Sequence, residues 1–250
     1  MLSIETEARL AKLLLSLSEY ERNVEISREV LSDNKDFDPY QIFLYLDYQN
    51  KNNIDIIDIM NFLRSRMVYF KEEEIYFILL SYDNDGDGYL SYNEFVNLIK
   101  SEKSFRKTQN FNSEKQISFN VEFSLQKVFE KEIELARNTI YLLEDLRERD
   151  DYDPNNIFNV LKSCYNINEE SIREFLDKTC TPFLDNDIKS IMKRLDFNHD
   201  FVIDSSEFFK FIEFPNSISS KLINKEKEKK YYYSLKNCCG NKSFQKNDFI

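Results

Sequence analysis

Residues 83–94 have the sequence DNDGDGYLSYNE, and this stretch decides the fold. Carboxylates occupy positions 1, 3 and 5 of these twelve residues, and a glutamate closes the stretch at position 12. A hard divalent cation with about six to eight oxygen ligands requires this spacing, a sharp bend and one bidentate carboxylate. Gly88 at position 6 supplies the bend. The predicted metal ligands are Asp83, Asp85, Asp87, the Tyr89 carbonyl, Ser91 and Glu94.

The spacing fits the pattern D-x-[DN]-x-[DN]-G-x5-E at every position. It resembles the calcium loop of the EF-hand family, which implies a helix, a Ca²⁺-binding loop and a second helix. The alternative is an acidic surface turn without a metal, and the apolar helical patterns on both sides argue against it.

Composition favours an all-α class with few tight turns. The chain has 250 residues, enough for two domains, and 42% of them are apolar, but only 3 are Gly and 4 are Pro. The start, MLSIETEARL, carries charges where a signal peptide needs an apolar run, and the longest apolar run, residues 75–80, is too short to span a bilayer. We therefore expect a cytoplasmic protein without a transmembrane segment.

Charge and cysteine content exclude other classes. The net charge is −11; residues 221–250 hold eight Lys against two Glu and one Asp, a net +5, which leaves −16 for the rest. An acidic body suits bound cations and does not suit nucleic acid. The cysteines are too few and too irregularly placed for a disulfide framework, and Cys164 and Cys180 are expected in the core. No phosphate-binding loop, nucleophile motif or second histidine is present, so we expect no enzyme activity.

The stretch before the calcium loop predicts a long helix and a second, degenerate loop. Apolar residues spaced three or four apart favour one helix over residues 2–33, either as a coiled-coil seam or packed on its own domain. Residues 47–58 have the outline of a calcium loop, but Lys51 stands where a ligand oxygen is needed. We expect this loop to be metal-free and to pair with its neighbour through Ile54 and Leu90.

The second half of the chain repeats the first. Adding 113 to the residue number takes Asp83 to Asp196 and Glu94 to Glu207, and further upstream an offset of 115 takes Asp38-Pro39 to Asp153-Pro154. The change of offset is a deletion that shortens a third loop, 162–170, which cannot have normal ligand spacing. The predicted organisation is a long helix and EF-hand pair in 1–100, a linker in 101–118, the same unit again in 119–216, and a basic tail in 217–250.

The fourth loop, residues 196–207, is a variant calcium site. Its predicted ligands are Asp196, Asn198, Asp200, the Val202 carbonyl, Asp204 and Glu207. Phe201 stands at position 6, where the backbone has positive φ, which costs a non-glycine residue about 1–3 kcal/mol. His199 at position 4 is expected to point to solvent. Ser91 with Glu94, and Asp204 with Glu207, also have capping-box spacing, so part of each pattern is helix initiation.

The repeat as a whole resembles EF-hand repeat proteins of ciliates and flagellar axonemes, some of which are implied to sit on doublet microtubules. The resemblance rests on residues 130–137, EKEIELAR, a D-P-x-x-I-F helix start, one degenerate loop and one complete loop. It implies a structural or regulatory calcium-binding component of a cytoskeletal assembly, with tubulin or other axonemal proteins as partners. The alternative is a free calmodulin-like sensor, which 4 Met against 22 Phe disfavours. The basic tail, with Cys238-Cys239, is either a solvated end or a contact for a partner.

Overall fold

The computed structural model describes residues 2–103 and 117–214. Most of the predicted linker, and the tail with Cys238-Cys239, lie outside the described residues. The helices are α1 (Ile4–Ser32), α2 (Pro39–Leu46), α3 (Ile56–Ser65), α4 (Glu72–Tyr82), α5 (Tyr92–Ile99), α6 (Phe119–Arg147), α7 (Pro154–Leu161), α8 (Glu169–Lys178), α9 (Asp185–Leu195) and α10 (Ser205–Ile212). Within these residues, β structure is limited to isolated bridges, so the predicted all-α class is confirmed.

The helices of the two halves match in length and order. They have 29, 8, 10, 11 and 8 residues from α1 to α5, and the same lengths from α6 to α10. Asp38 and Asp153 accept backbone N–H groups at the starts of α2 and α7, and proline follows each in the first turn. The same local signals therefore start the short helices in both halves.

The long helices α1 and α6 pack antiparallel at the centre. Asn34 contacts Ser124 at one end, Asn138 donates to the Ser16 hydroxyl at 2.6 Å near the middle, and Arg9 contacts Asp145 at the other end. The apolar stripe of α1 is buried, and its most buried members are Leu10, Leu13, Leu17, Val24 and Leu31. The stripe thus packs within the chain, which is the intramolecular of the two alternatives for this helix.

Packing between the halves is reciprocal. Helix α4 packs against α6, and its counterpart α9 packs against α1. Residues 2–103 and 117–214 accordingly fall into one compact unit. Among the described residues, no helix combines the length and the apolar character needed to cross a membrane.

Candidate metal centre

Loop 83–94 is folded around the carboxylate of its first residue. Asp83 accepts the N–H of Gly86 at 2.7 Å and that of Gly88 at 2.9 Å. Both glycines have positive φ, +76° and +85°, which favours glycine because it has no Cβ to clash. The chain turns back twice, and carboxylate oxygens of Asp83, Asp85 and Asp87 come within 4.8 Å of one another.

The closing glutamate comes from the first turn of α5. Glu94 is only 7% exposed. One carboxylate oxygen accepts the N–H of Asn84 at 2.7 Å, and the other accepts the N–H and hydroxyl of Ser91 at 2.9 and 2.7 Å. The last predicted ligand thus lies against the start of the loop, and Ser91 links it to the helix N-terminus.

Asp83 and Glu94 are buried, and burial of their negative charges costs free energy. Burial raises the pKa of Asp83, although the amides of Gly88 and Gly86 and the ammonium of Lys210 partly oppose it. A bound cation removes this cost by neutralising the charges. The predicted metal ligands are carboxylate, carbonyl and hydroxyl oxygens, which suit a hard cation such as Ca²⁺.

Loop 47–58 has the same backbone turn, but its own side chain supplies the cation. Asp47 accepts the N–H groups of Lys51 and Asn52 at 2.8 and 2.7 Å. The Lys51 ammonium donates to Asp55 at 2.6 Å and to Asp58 at 2.7 Å, the residues at loop positions 9 and 12. Burial disfavours this charge, yet the two hydrogen bonds outweigh it and raise the pKa of Lys51. The ammonium therefore takes the electrostatic role of an ion in this loop.

The two loops are joined by a short antiparallel bridge. Ile54 N–H donates to the Leu90 carbonyl at 3.0 Å, and Leu90 N–H donates to the Ile54 carbonyl at 2.8 Å. Both side chains are fully buried, and the contact is the one that the sequence predicted. Two helix–loop–helix units joined through their loops form one paired domain.

The profile of the EF-hand domain pair family matches residues 37–100. Residues 37–100 are an EF-hand domain pair. The comparison with curated proteins gives no match. EF-hand domains bind Ca²⁺, so Ca²⁺ is the cofactor, and the oxygen ligands of loop 83–94 fit it.

Loop 196–207 is also folded around its first aspartate and its closing glutamate, but the first aspartate accepts the amides of positions 5 and 6, whereas Asp83 accepts those of positions 4 and 6. Asp196 accepts the N–H groups of Asp200 at 3.2 Å and Phe201 at 2.9 Å. Glu207 accepts the N–H groups of Phe197 and Asn198 on one oxygen and that of Asp204 on the other. Burial raises the pKa of Glu207, as it does for Asp83.

Phe201 occupies the turn where the first complete loop has Gly88. Its φ is +69°, and its side chain is 82% exposed, so packing returns little of the backbone strain. His199, at position 4, also has positive φ and is exposed. The turn of loop 196–207 therefore has positive φ at positions 4 and 6, as in loop 83–94, but with non-glycine residues and at a conformational cost that loop 83–94 does not have.

The third loop lacks both the length and the closing acid. Ser163 pairs with Asn166 in a tight turn, and the N3 residue of the following helix is Ser171, which caps Asn168 in place of a carboxylate. Ile167 still pairs with Ile203 of the fourth loop at 3.0 and 2.7 Å. This loop supports its neighbour without a metal-ligand set of its own.

Two features of the structure differ from the sequence-based expectations. The sequence indicates that Lys51 blocks metal binding but does not predict that its ammonium lies between two carboxylates. The signal for this position is the pair of acidic residues four and seven positions later. The expectation that Cys164 and Cys180 are core residues is wrong, since both are exposed. Both have positive φ, 59° and 53°, and lie in turns, where a small side chain points outward.

Proposed function

We propose that this protein is a calcium-binding structural or regulatory component of a cytoskeletal assembly, in which residues 154–212 act as a second EF-hand pair. The observation that carries the proposal is the cover over the entering helices: α4 is packed against α6, and α9 against α1. A free sensor must open and offer such faces to a target helix. Here the long helices α6 and α1 of the same chain already cover faces of α4 and α9.

Equivalent ion pairs hold this arrangement at two places. Arg137 of α6 contacts Glu74 of α4, with 2.6 Å between Nε and the carboxylate, and Arg22 of α1 contacts Asp187 of α9. Each carboxylate also accepts the N–H at the start of its own helix, from Lys71 and Leu184 respectively. In each half, one acid therefore both caps a helix and fixes it to the long helix of the other half. These contacts support a fixed packing of the two halves.

The axonemal location rests on the sequence resemblance. Apart from Lys103, which pairs with Glu29, the basic residues of the linker and tail lie outside the described residues, and their charge is complementary to the acidic surface of tubulin. The proposal assigns no catalytic activity to the chain. The second candidate, a calmodulin-like sensor, is favoured only by the presence of complete calcium loops, and the low methionine content disfavours it.

Co-sedimentation with microtubules, with and without Ca²⁺, tests the proposal. We expect binding in both conditions, equal binding by the Glu94→Gln/Glu207→Gln double variant, and little Ca²⁺-dependent increase in the fluorescence of a dye for apolar surface. Absence of co-sedimentation together with a large Ca²⁺-dependent dye signal would favour the sensor. Tagged protein in a ciliated cell should lie along the axoneme; a signal confined to the cell body contradicts the location.

A further inference from the structure

Loops 83–94 and 196–207 each have a full set of predicted ligands, and we call them the complete loops. They belong to different halves, yet the residues that flank them are in contact. Tyr82 immediately precedes Asp83, and its hydroxyl accepts a hydrogen bond from Arg194 of α9 at 2.5 Å. Arg194 lies two residues before Asp196, the first residue of the other loop. The helices that enter the two loops are therefore in direct contact just before both loops begin.

A second contact comes from the helix that leaves the fourth loop. Lys210 of α10 donates from its ammonium to the Asp83 backbone carbonyl at 2.6 Å. The same ammonium lies 4.7 Å from the ring centre of Phe197, at position 2 of its own loop. Lys210 stands three residues after Glu207, nearly one helical turn, so a shift of the closing glutamate moves the lysine with it.

The contact between the entering helices is anchored in a buried charge network. Glu132 of α6 is fully buried and accepts from Arg194 at 2.6 Å and from Arg28 of α1 at 3.0 Å. The Tyr82 hydroxyl donates to the same carboxylate. Such a network resists local adjustment because breaking one contact leaves a buried charge without its partner. Relative movement of α9 is thus passed to Tyr82 rather than absorbed.

The loops also share a cavity of about 600 Å³, whose wall includes Asn84 from one loop and Asp196, Phe197 and His199 from the other. The two loops therefore border a common cavity, and Lys210 and Arg194 connect the two halves beside it. Coupling inside an EF-hand pair runs through the loop bridge, but each bridge here joins a complete loop to a degenerate one. Communication between the two complete loops has to use the contacts between the halves.

We propose that Lys210 is a positioning residue for loop 83–94 and couples the two calcium sites, so that Ca²⁺ in either loop tightens binding in the other. Closing Glu207 on an ion fixes α10, and with it the lysine that holds the Asp83 carbonyl. When the second ion binds, the first residue of loop 83–94 is already fixed by Lys210. Ordering this loop therefore costs less conformational entropy. The coupling is reciprocal by linkage. It rests on calcium binding and is independent of the cytoskeletal assignment.

Calorimetric titration of three forms of the full chain measures this coupling. Glu94→Gln leaves only the fourth loop and Glu207→Gln only the first complete loop, and each gives one association constant. The coupling factor is the product of the two stepwise constants of the unaltered chain divided by the product of these two constants. We expect a factor of at least about 5. Because it is a ratio, it is insensitive to the Coulomb repulsion between Lys210 and a nearby ion.

Variants of Lys210 decide whether this residue carries the coupling. Lys210→Met in all three backgrounds should reduce the factor to about 1, whereas Lys210→Arg, which keeps a donor, should retain it. Lys189→Met is the control: it removes an exposed lysine of the same half, which lines the cavity between the loops, and it should leave the factor unchanged. A factor near 1 in the unaltered chain, an unchanged factor in Lys210→Met, or no binding by the fourth loop would each overturn the proposal.

Discussion

Loops 47–58 and 83–94 have positive φ at the same two positions but differ in the charge of the side chain at position 5. In both, the first aspartate accepts two amides, and positions 4 and 6 have positive φ. The first loop places an ammonium between the carboxylates of Asp55 and Asp58, whereas the second leaves Glu94 and three aspartates for an external cation. The turn alone therefore does not determine metal binding. We expect the side chain at position 5 to decide it.

The largest expected effect is loss of the closing ligand in the complete loop. Glu94→Gln should lower the Ca²⁺ affinity of loop 83–94 by at least about 100-fold, or about 2.8 kcal/mol, because one bidentate carboxylate is replaced by a neutral amide. Calorimetric titration measures it. The matched control is Asp58→Asn at the same position of loop 47–58, which should leave Ca²⁺ binding nearly unchanged. Equal losses in both variants would mean that the loops do not differ as described.

Replacing the internal cation tests the other side of the comparison. Lys51→Met removes the partner of two carboxylates, of which Asp58 is nearly buried, and should destabilise the fold by about 1–3 kcal/mol in urea denaturation. Lys51→Asp adds an acid at position 5 and should add one Ca²⁺ per chain in equilibrium dialysis. A stable Lys51→Met variant would contradict the structural role of the ammonium. Unchanged stoichiometry in Lys51→Asp would mean that Asp58 is too short to close a site.

The start of α2 and the bridge between the first two loops could be predicted from the sequence because their signals are local. Asp38 and Pro39 start α2, and the twelve-residue spacing places every ligand of loop 83–94 from one short segment. The bridge between Ile54 and Leu90 follows from the same register. These features depend on residues close together in the chain, where periodicity and capping chemistry are informative.

Contacts between the halves could not be predicted in the same way. The apolar stripe of α1 indicated burial but not that α6 and α9 would cover it. Arg28 and Glu132 are polar residues that only the partner helices make compatible with burial, and they lie more than one hundred positions apart. Lys210 and Asp83 pair through a backbone carbonyl, which leaves no side-chain pattern to detect. Long-range pairing of this kind has no period in the sequence.

Exchanging the residues at position 6 sharpens the comparison between the two complete loops. Phe201→Gly should tighten Ca²⁺ binding in loop 196–207, and Gly88→Phe should weaken it in loop 83–94, each by about 5- to 30-fold, because a side chain at positive φ costs about 1–2 kcal/mol. A Cβ at Gly88 would meet no heavy atom within 4 Å, so the effect there is conformational rather than steric. Titration of each loop, with the other inactivated, measures both. Opposite changes are expected; no change in either would mean that the turn is unstrained.

The smallest expected effect is a difference in pH between two transitions on acidification, the loss of Ca²⁺ affinity and the loss of helix content. Burial raises the pKa values of Asp83 and Glu207, so these ligands take up protons at a higher pH than ordinary carboxylates. Glu25 behaves in the opposite way: burial disfavours its charge, but Lys193 outweighs burial and lowers its pKa to about 2. Stability from a lowered pKa is complete above the ordinary value and is lost as the pH falls through the folded value.

The two groups of carboxylates should therefore respond to acid in a fixed order. Calcium affinity should fall first, at a higher pH than for ligands with ordinary carboxylate pKa values, while the helices remain folded. Helix content should be lost only as the pH falls from about 4.5 towards 2, where Glu25 takes up a proton. The pKa of the buried Glu132 is also lowered, which acts in the same direction. Calcium titrations at several pH values, with far-UV circular dichroism of the same samples, measure the order. Loss of helix at the pH where affinity first falls would show that the loop carboxylates, and not the buried pairs between the halves, limit acid stability.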